Sequence, residues 1–299
     1  MATPVRPRRA LGGLRPSGAL VGVVPFFVYV TVFLLIPTAV VVIGAFWGAD
    51  GPSLGNIRAL YEPQGGYPNP FPEALRKSVL LSLYTALAGA LIGGVLAYAV
   101  STAKPDGLLK RFVTSLSGVL AQFGGVALAF AFLASFASNG LLTLWLKKVG
   151  YDLDPNWIYG WNSGLLVVYL YFQIPLMVIV FLPAVEGLKP QWREATETLG
   201  GTTWTYWRRV GLPILMPSFI GAFLLLFTNA FSAYATAAVL VSQGNPLVPL
   251  MIGSSMSSEV ILGQENIGKA MALAMVVVVA IVMALYAWID KRASRWLVR

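Results

Sequence analysis

The sequence contains no cysteine and no histidine. Without cysteine there is no disulfide framework and no thiolate metal site. Without histidine the commonest metal ligand and the usual general base of enzyme sites are missing as well. Charge is scarce too: charged residues make up 11% of the 299 residues, against 57% hydrophobic ones. Water-soluble domains carry about 25% charged residues. A soluble chain of this length could bury a large core but could not cover its surface with so few charges, so the composition places it in lipid.

The missing charge is missing in blocks. No Asp, Glu, Lys or Arg occurs between Arg15 and Asp50, Lys77 and Lys104, Arg111 and Lys147, Asp154 and Glu186, Arg209 and Glu259, or Lys269 and Asp290. Each gap reaches the roughly 20 residues that an α-helix needs to cross about 30 Å of hydrocarbon. The expectation is an all-α integral membrane protein with six spans, near 20–47, 78–100, 113–137, 164–184, 214–241 and 270–289. A β-barrel needs shorter alternating segments, and these runs are continuously apolar. Arg6–Arg15 ahead of the first run has the look of a signal peptide, but the run extends well past an h-region. It is read as a retained span behind a basic tail at 1–19, with the membrane domain at 20–289 and a second tail at 290–299.

The net charge of +9 follows topology. With both termini inside, 15 basic residues fall on the cytoplasmic side and six outside (Arg58, Arg76, Lys77, Lys147, Lys148 and Lys269). The positive-inside rule therefore puts both termini in the cytoplasm. No basic-aromatic patch supports a nucleic-acid partner. On the outer side, residues 50–76 are broken by Gly51-Pro52 and further prolines, which make turns. Trp157, Tyr159 and Trp161 fit an interfacial belt before the fourth span.

The inner loop at 186–213 differs in kind. It is amphipathic and mixed in charge, with Glu186, Lys189, Arg193, Glu194, Glu197, Arg208 and Arg209. Pro190 suits a helix start, Gly200-Gly201 suits a turn, and Thr202 or Thr203 suits the cap of a second short helix. A helix–turn–helix projecting from a membrane face is a docking surface.

Ordered positions in this loop carry a family resemblance. Glu194-Ala195-Thr196, then Gly200 six residues after the Glu, Trp207, Val210 and Leu212-Pro213 resemble the cytoplasmic Glu-Ala-Ala signature of importer-type ABC permeases. Thr196 stands where Ala is usual, and Gly201 stands where Ala often follows the Gly. Over about residues 20–290 the chain is similar to that family. It is closest to the branch that includes polyamine, ferric-iron and aminoethylphosphonate importers, an impression carried by Tyr169–Pro175 and Phe231–Thr236. The resemblance implies a MetI-like, type I permease fold in the cytoplasmic membrane. It also implies coupling helices that dock on an ATPase, with Glu194 as a charged contact, Ala195 and Thr196 in close packing and Gly200 and Gly201 at the turn. The implied assembly holds a second permease, expected to be a different chain, two ATPase subunits and an extracytoplasmic binding protein. No cofactor belongs to this chain, since ATP and Mg²⁺ sit on the ATPases, and a polyamine-type solute is among those implied.

Polar residues within spans are costly and are expected to face a pathway or another helix. Thr228, Asn229, Ser232 and Thr236 fall at helical spacing on one face of the fifth span. The candidate pathway residues are Gln122, Gln173, Asn229, Ser232 and Tyr234; the competing role is interhelical hydrogen bonding. Gly89, Gly93 and Gly94 in the second span are expected to be close-packing positions. An ion-coupled secondary carrier is the alternative, but no acid, base or histidine lies centrally in any span to relay protons. Ser117 has no histidine to activate it as a nucleophile. Gly263–Ala270 imitates a phosphate loop but ends in Ala270, where a metal-binding hydroxyl is required.

Overall fold

The computed structural model describes residues 16–48, 51–63, 66–104, 107–154, 156–160, 163–241, 246–257 and 265–294. Arg6, Arg8, Arg9, Arg15, Asp50, Trp161, Glu259, Gly263, Arg295 and Arg299 lie outside the described residues.

The first helix, α1 (Pro16–Val30), passes through a π-turn at Thr31–Leu35 into α2 (Ile36–Ala45). After it come the two-residue strands β1 (Trp47–Gly48) and β2 (Gly51–Pro52), paired antiparallel, and the short α3 (Gly55–Ala59). The long α4 (Phe71–Ser101) follows, then α5 (Leu108–Gln122), α6 (Gly125–Phe136), α7 (Leu141–Lys148) and α8 (Gly164–Glu186). The loop helices α9 (Pro190–Thr198) and α10 (Thr203–Tyr206) lead through a π-turn at Trp207–Gly211 into α11 (Leu212–Ser232). The chain closes with α12 (Ala235–Leu240), α13 (Val248–Ser257) and α14 (Glu265–Ser294).

Among the described residues, six helical stretches are long and apolar enough to cross a membrane: Val23–Ala45, Phe71–Ser101, Gly125–Lys148, Gly164–Glu186, Thr203–Ser232 and Asn266–Trp288. Their number agrees with the charge gaps, but two limits need correction. The stretch 113–137 is not one helix: α5 ends at Gln122, and Gly125 starts α6 at φ +68°, a left-handed backbone that glycine alone adopts at little cost. The stretch 214–241 is likewise two helices, broken at Ala233 and Tyr234. Hydropathy cannot see either break, because both halves are apolar.

The two π-turns share a cause. Ile36 donates its N–H to the carbonyl of Thr31, and Leu212 donates to Trp207, each five residues back. Each donor is followed at once by a proline, Pro37 or Pro213. Proline has no N–H, and its ring collides with the carbonyl four residues earlier. One extra residue in the preceding turn moves that carbonyl aside, and the helix continues.

The centre of the bundle is the α4–α8 contact, and small residues permit it. Ala86, Ala90 and Ala97 are fully buried on α4. A Cβ placed on Gly89 would lie 2.9 Å from the Cβ of Gln173, and one on Gly93 would lie 2.6 Å from the Cβ of Met177 and 2.7 Å from the carbonyl oxygen of Ile174. In lipid there is little hydrophobic gain in joining helices, so close backbone approach supplies the attraction. Around this pair one apolar cluster joins α4, α8 and α11 through Val100, Phe181 and Leu215. A second joins α4, α6, α8 and α12 through Leu81, Leu128, Leu165 and Leu240. A third binds the end of α2 to α14 through Ala45, Phe71 and Ala270. Beside it, the Trp47 carbonyl accepts from the amides of both Asn56 and Asn266, at 2.9 and 3.0 Å. The first span has no buried residue in its apolar window, and Phe26 and Phe33 are exposed on the chain surface.

Candidate functional site

Two regions carry the sequence-predicted residues: the loop at one end of the bundle and a cavity within it. In the loop, α9 begins with Pro190 in its first turn and ends in a Schellman turn. The Gly200 N–H donates to the Glu197 carbonyl at 3.0 Å, and the Gly201 N–H donates to the Thr196 carbonyl at 2.9 Å. That pattern requires a left-handed residue between the bonds, and Gly200 supplies it at φ +76°. The next helix starts where the Thr202 side chain accepts from the Thr205 N–H at 3.3 Å, the expected N-cap.

No residue of α9 is buried. Glu194 and Ala195 are exposed, and Glu194 makes no ion pair with a described residue. Arg193 and Glu197 pair along the helix at 3.0 Å. On either side of the Gly200 turn, Leu199 is 88% and Trp204 70% exposed. These are the large apolar side chains that the loop leaves exposed beside α9. Thr196 is half-buried and donates its hydroxyl to the Trp192 carbonyl at 2.8 Å.

The remaining loop residues turn back toward the bundle. Trp207 packs edge-on against Tyr98 with ring centroids 5.1 Å apart, and over Gly211, where a Cβ would lie 2.8 Å from the indole. Val210 is half-buried, while Leu212 and Pro213 are exposed at the head of α11. So Glu194, Ala195, Gly200 and the unpredicted Leu199 and Trp204 form the outward surface, and Trp207 is its anchor. Lys110 on α5 pairs with Glu186 at 2.5 Å just before the loop, which fixes the end of α8. The second loop helix is not a free unit: α10, the π-turn and α11 form one continuous helix from Thr203 to Ser232.

That helix ends at the cavity. A space of about 280 Å³ lies where the two broken spans meet, lined by Gly124 and Gly125 of one break, by Asn229, Ser232, Tyr234 and Thr236 around the other, and by Phe172 of α8. No charged residue among the described ones lines it. A break inside a membrane exposes carbonyls that have no water to bond, and side chains must take over. Here the Thr236 hydroxyl donates to the Gly125 carbonyl at 3.2 Å, and the buried Tyr169 hydroxyl donates to the Ala233 carbonyl at 3.0 Å. Both breaks are therefore built features. The Asn229 carboxamide makes no hydrogen bond to a described residue and is exposed. The Ser232 hydroxyl donates to the Thr228 carbonyl at 2.9 Å and keeps its oxygen free to accept. Tyr234 stands between this cavity and α13: a Cβ on Gly253 would fall 2.7 Å from its ring.

Two of the candidate pathway residues lie elsewhere. Gln173 is fully buried between α4, α8 and α11, and its amide donates to the Leu226 carbonyl at 2.9 Å. Its amide oxygen has no partner among the described residues. It joins helices in the competing manner and does not line the cavity. Gln122 is exposed at the end of α5, beside the break but outside the lining. Conversely, Gly124, Gly125, Tyr169 and Phe172 were not selected from sequence. The adjacent glycines were the available signal; Tyr169 and Phe172 carried none.

Comparison with known proteins agrees with this architecture. The chain is 24% identical over 271 residues to the spermidine/putrescine transport system permease protein PotB of Haemophilus influenzae, covering 90% of this chain and 93% of that one. It is 29% identical over 180 residues to the sulfate transport system permease protein CysT of Escherichia coli, a match covering 59% of this chain and 61% of the relative. Among solved structures, it shares its fold with a chain of a bacterial ABC transporter involved in import of the acidic polysaccharide alginate. That likeness has a TM-score of 0.75 and 15% identity, and covers 92% of this chain and 95% of the other. A chain of the inward-facing MetNI methionine ABC transporter matches with a TM-score of 0.52 and 14% identity, covering 75% of this chain and 98% of that one. A family model matches residues 20–295, and the chain belongs to the binding-protein-dependent transport system inner membrane components, the ABC importer permeases.

Proposed function

We propose that this chain is one of two permeases in an importer that takes its solute from an extracytoplasmic binding protein and is driven by two ATPase subunits docked on the 186–213 loop. ATP and Mg²⁺ bind on those ATPases, and this chain performs no chemistry. Both of its termini face the cytoplasm, as the basic excess of 15 to six on the loop side argues.

The observation that carries the reading is the unbroken helix from Thr203 to Ser232. One end stands beside the exposed α9 surface and the other forms the wall of the cavity. At 1.5 Å per residue it is about 45 Å long. Force applied to the loop by closing ATPases reaches Asn229 and Ser232 through one rigid element and not through a chain of side-chain adjustments. Solute and nucleotide each bias the same two-state equilibrium, which is what alternating access requires. Tyr234, which lines the cavity and lies against Gly253 of α13, would be the residue that opens toward the binding protein.

The cavity favours a small polar solute held by hydrogen bonds, because its lining offers an amide and hydroxyls but no carboxylate. The polyamine solute of one relative and the sulfate of another differ on this point. A polyamine passing here would take its acidic partners from the second permease, since none of the 12 acidic residues of this chain falls within the charge-free blocks.

Purification from native membranes in mild detergent, followed by mass spectrometry, tests the assembly. Recovery with an ATPase subunit and a second permease is expected. Repeated recovery of the chain alone in active form would return the reading to a secondary carrier.

A further inference from the structure

A second cavity, of about 450 Å³, lies at the loop end of the bundle between the last turn of α4, the start of α5, the end of α8 and the underside of α9. Lys110, Lys189 and Arg193 line it, with Glu186 as the single carboxylate among the described residues. Glu186 is committed to Lys110. Glu197 reaches Arg193 through Nε alone, and from a half-exposed position outside the lining. Lys189 has no ion pair with a described residue. The cavity therefore presents one unpaired ammonium and the open fork of a guanidinium, a donor set suited to a phosphate.

Its aromatic lining favours one source of that phosphate. Tyr98, near the end of α4, and Trp207, in the π-turn before α11, form one wall as an edge-on pair. Aromatic residues of this kind sit at headgroup level, and basic pockets between spans on the cytoplasmic side accept anionic head groups. A free anion would have no use for the aromatic wall or for an opening between membrane helices.

We propose that this cavity binds the phosphate of an anionic phospholipid from the cytoplasmic leaflet, held by Lys189 and Arg193 with the acyl chains along Tyr98 and Trp207. The site joins the root of α9 to the membrane, so lipid composition sets the position of the docking loop. The inference rests on the cytoplasmic placement of the loop but not on the identity of the solute.

Native mass spectrometry of the intact importer complex tests it, with phosphatidylglycerol or phosphatidylcholine of equal acyl length added. The expected result is selective retention of phosphatidylglycerol, reduced about fivefold by Lys189→Gln and again by Arg193→Gln, since each basic residue near the surface contributes about 1 kcal/mol. Lys147→Gln and Lys148→Gln, at the other end of the bundle, leave retention unchanged. The same spectra report whether each variant complex is assembled; where Arg193→Gln is not, Lys189→Gln decides alone. Equal retention of the two lipids, or unchanged retention in Lys189→Gln, overturns the proposal. Displacement of phosphatidylglycerol by an equal concentration of inorganic phosphate overturns the lipid assignment in favour of a free anion.

Discussion

Gly200 offers the sharpest test of the loop, because its role can be separated from packing. A Cβ at this position would meet nothing within 4 Å, so a side chain costs no steric energy. What it costs is backbone conformation. At φ +76° an alanine pays about 1–2 kcal/mol relative to glycine, whereas asparagine tolerates the left-handed region better. Proline is excluded outright: its φ is fixed near −65°, and it removes the N–H that donates to Glu197. It also disfavours the helical conformation of Leu199 before it. The Schellman turn cannot form in Gly200→Pro, and α9 loses its end. Because no residue of α9 is buried, the loss is confined to the turn, and thermal unfolding of the membrane domain should move by no more than about 1–2 kcal/mol in Gly200→Ala. Hydrogen exchange of the amides at 200 and 201 should accelerate about five- to thirtyfold in Gly200→Ala, less in Gly200→Asn, and lose protection entirely in Gly200→Pro. Hydrolysis of ATP stimulated by the binding protein should fall in the same order, and be abolished in Gly200→Pro while the chain still inserts. A Gly200→Pro complex with full stimulated hydrolysis and uptake would refute the assignment of this loop to coupling.

Other substitutions probe the bundle and the cavity. Gly93→Ala forces a Cβ against the backbone of α8 and should destabilise the chain by about 1–3 kcal/mol in detergent unfolding, whereas Gly118→Ala, with open space around it, should not destabilise it. Tyr169→Phe leaves the Ala233 carbonyl without its donor in an apolar setting and should cost about 1–3 kcal/mol by the same measurement. Asn229→Leu removes a free amide from the cavity; it should lower uptake while leaving the complex assembled and its basal hydrolysis intact. Gly201→Ala should impair the loop because its Cβ would lie 2.7 Å from the Thr196 methyl, and adding Thr196→Ala should restore part of the loss in a double-mutant cycle. Full additivity of the two changes would show that the contact does not matter.

That last pair shows what linear spacing conceals. Thr196 and Gly201 are separate departures from the family pattern in one dimension, both tolerable because both are small. In three dimensions they are one feature: the threonine methyl occupies the space that an alanine at 201 would fill. Linear spacing shows identity and order but not which volumes exchange. The spans were legible for the opposite reason. A charge is so costly in hydrocarbon that its absence over 20 residues is nearly a direct measurement of membrane crossing. The breaks at Phe123–Gly124 and Ala233–Tyr234 were illegible to the same criterion, since a broken apolar helix is as apolar as a straight one. Gly124-Gly125 at least invited a turn, but nothing at Ala233 did. That break is held from a distance by Tyr169, 64 residues away along the chain. Gln173 shows the same limit. A buried amide in an apolar span reads alike whether it lines a path or ties helices, and only the Leu226 carbonyl opposite decides.

The placement of the breaks has a mechanical consequence. A straight fifth span would carry motion from the loop through the whole membrane and displace α12 and α13 together with the cavity. With the helix ending at Ser232, the proposed motion of its loop end would move Asn229 and Ser232, while the Thr236 hydroxyl ties α12 to the Gly125 carbonyl of α6. On that proposal the cavity wall would slide relative to the α6–α12 side. Tyr169 holds the join without locking it, because one hydroxyl–carbonyl bond of about 1 kcal/mol can break and re-form within a transport cycle. The polar side chains that satisfy the broken backbone thus set how freely the two halves of the span shear. Strengthening that join should slow cycling without weakening ATPase docking.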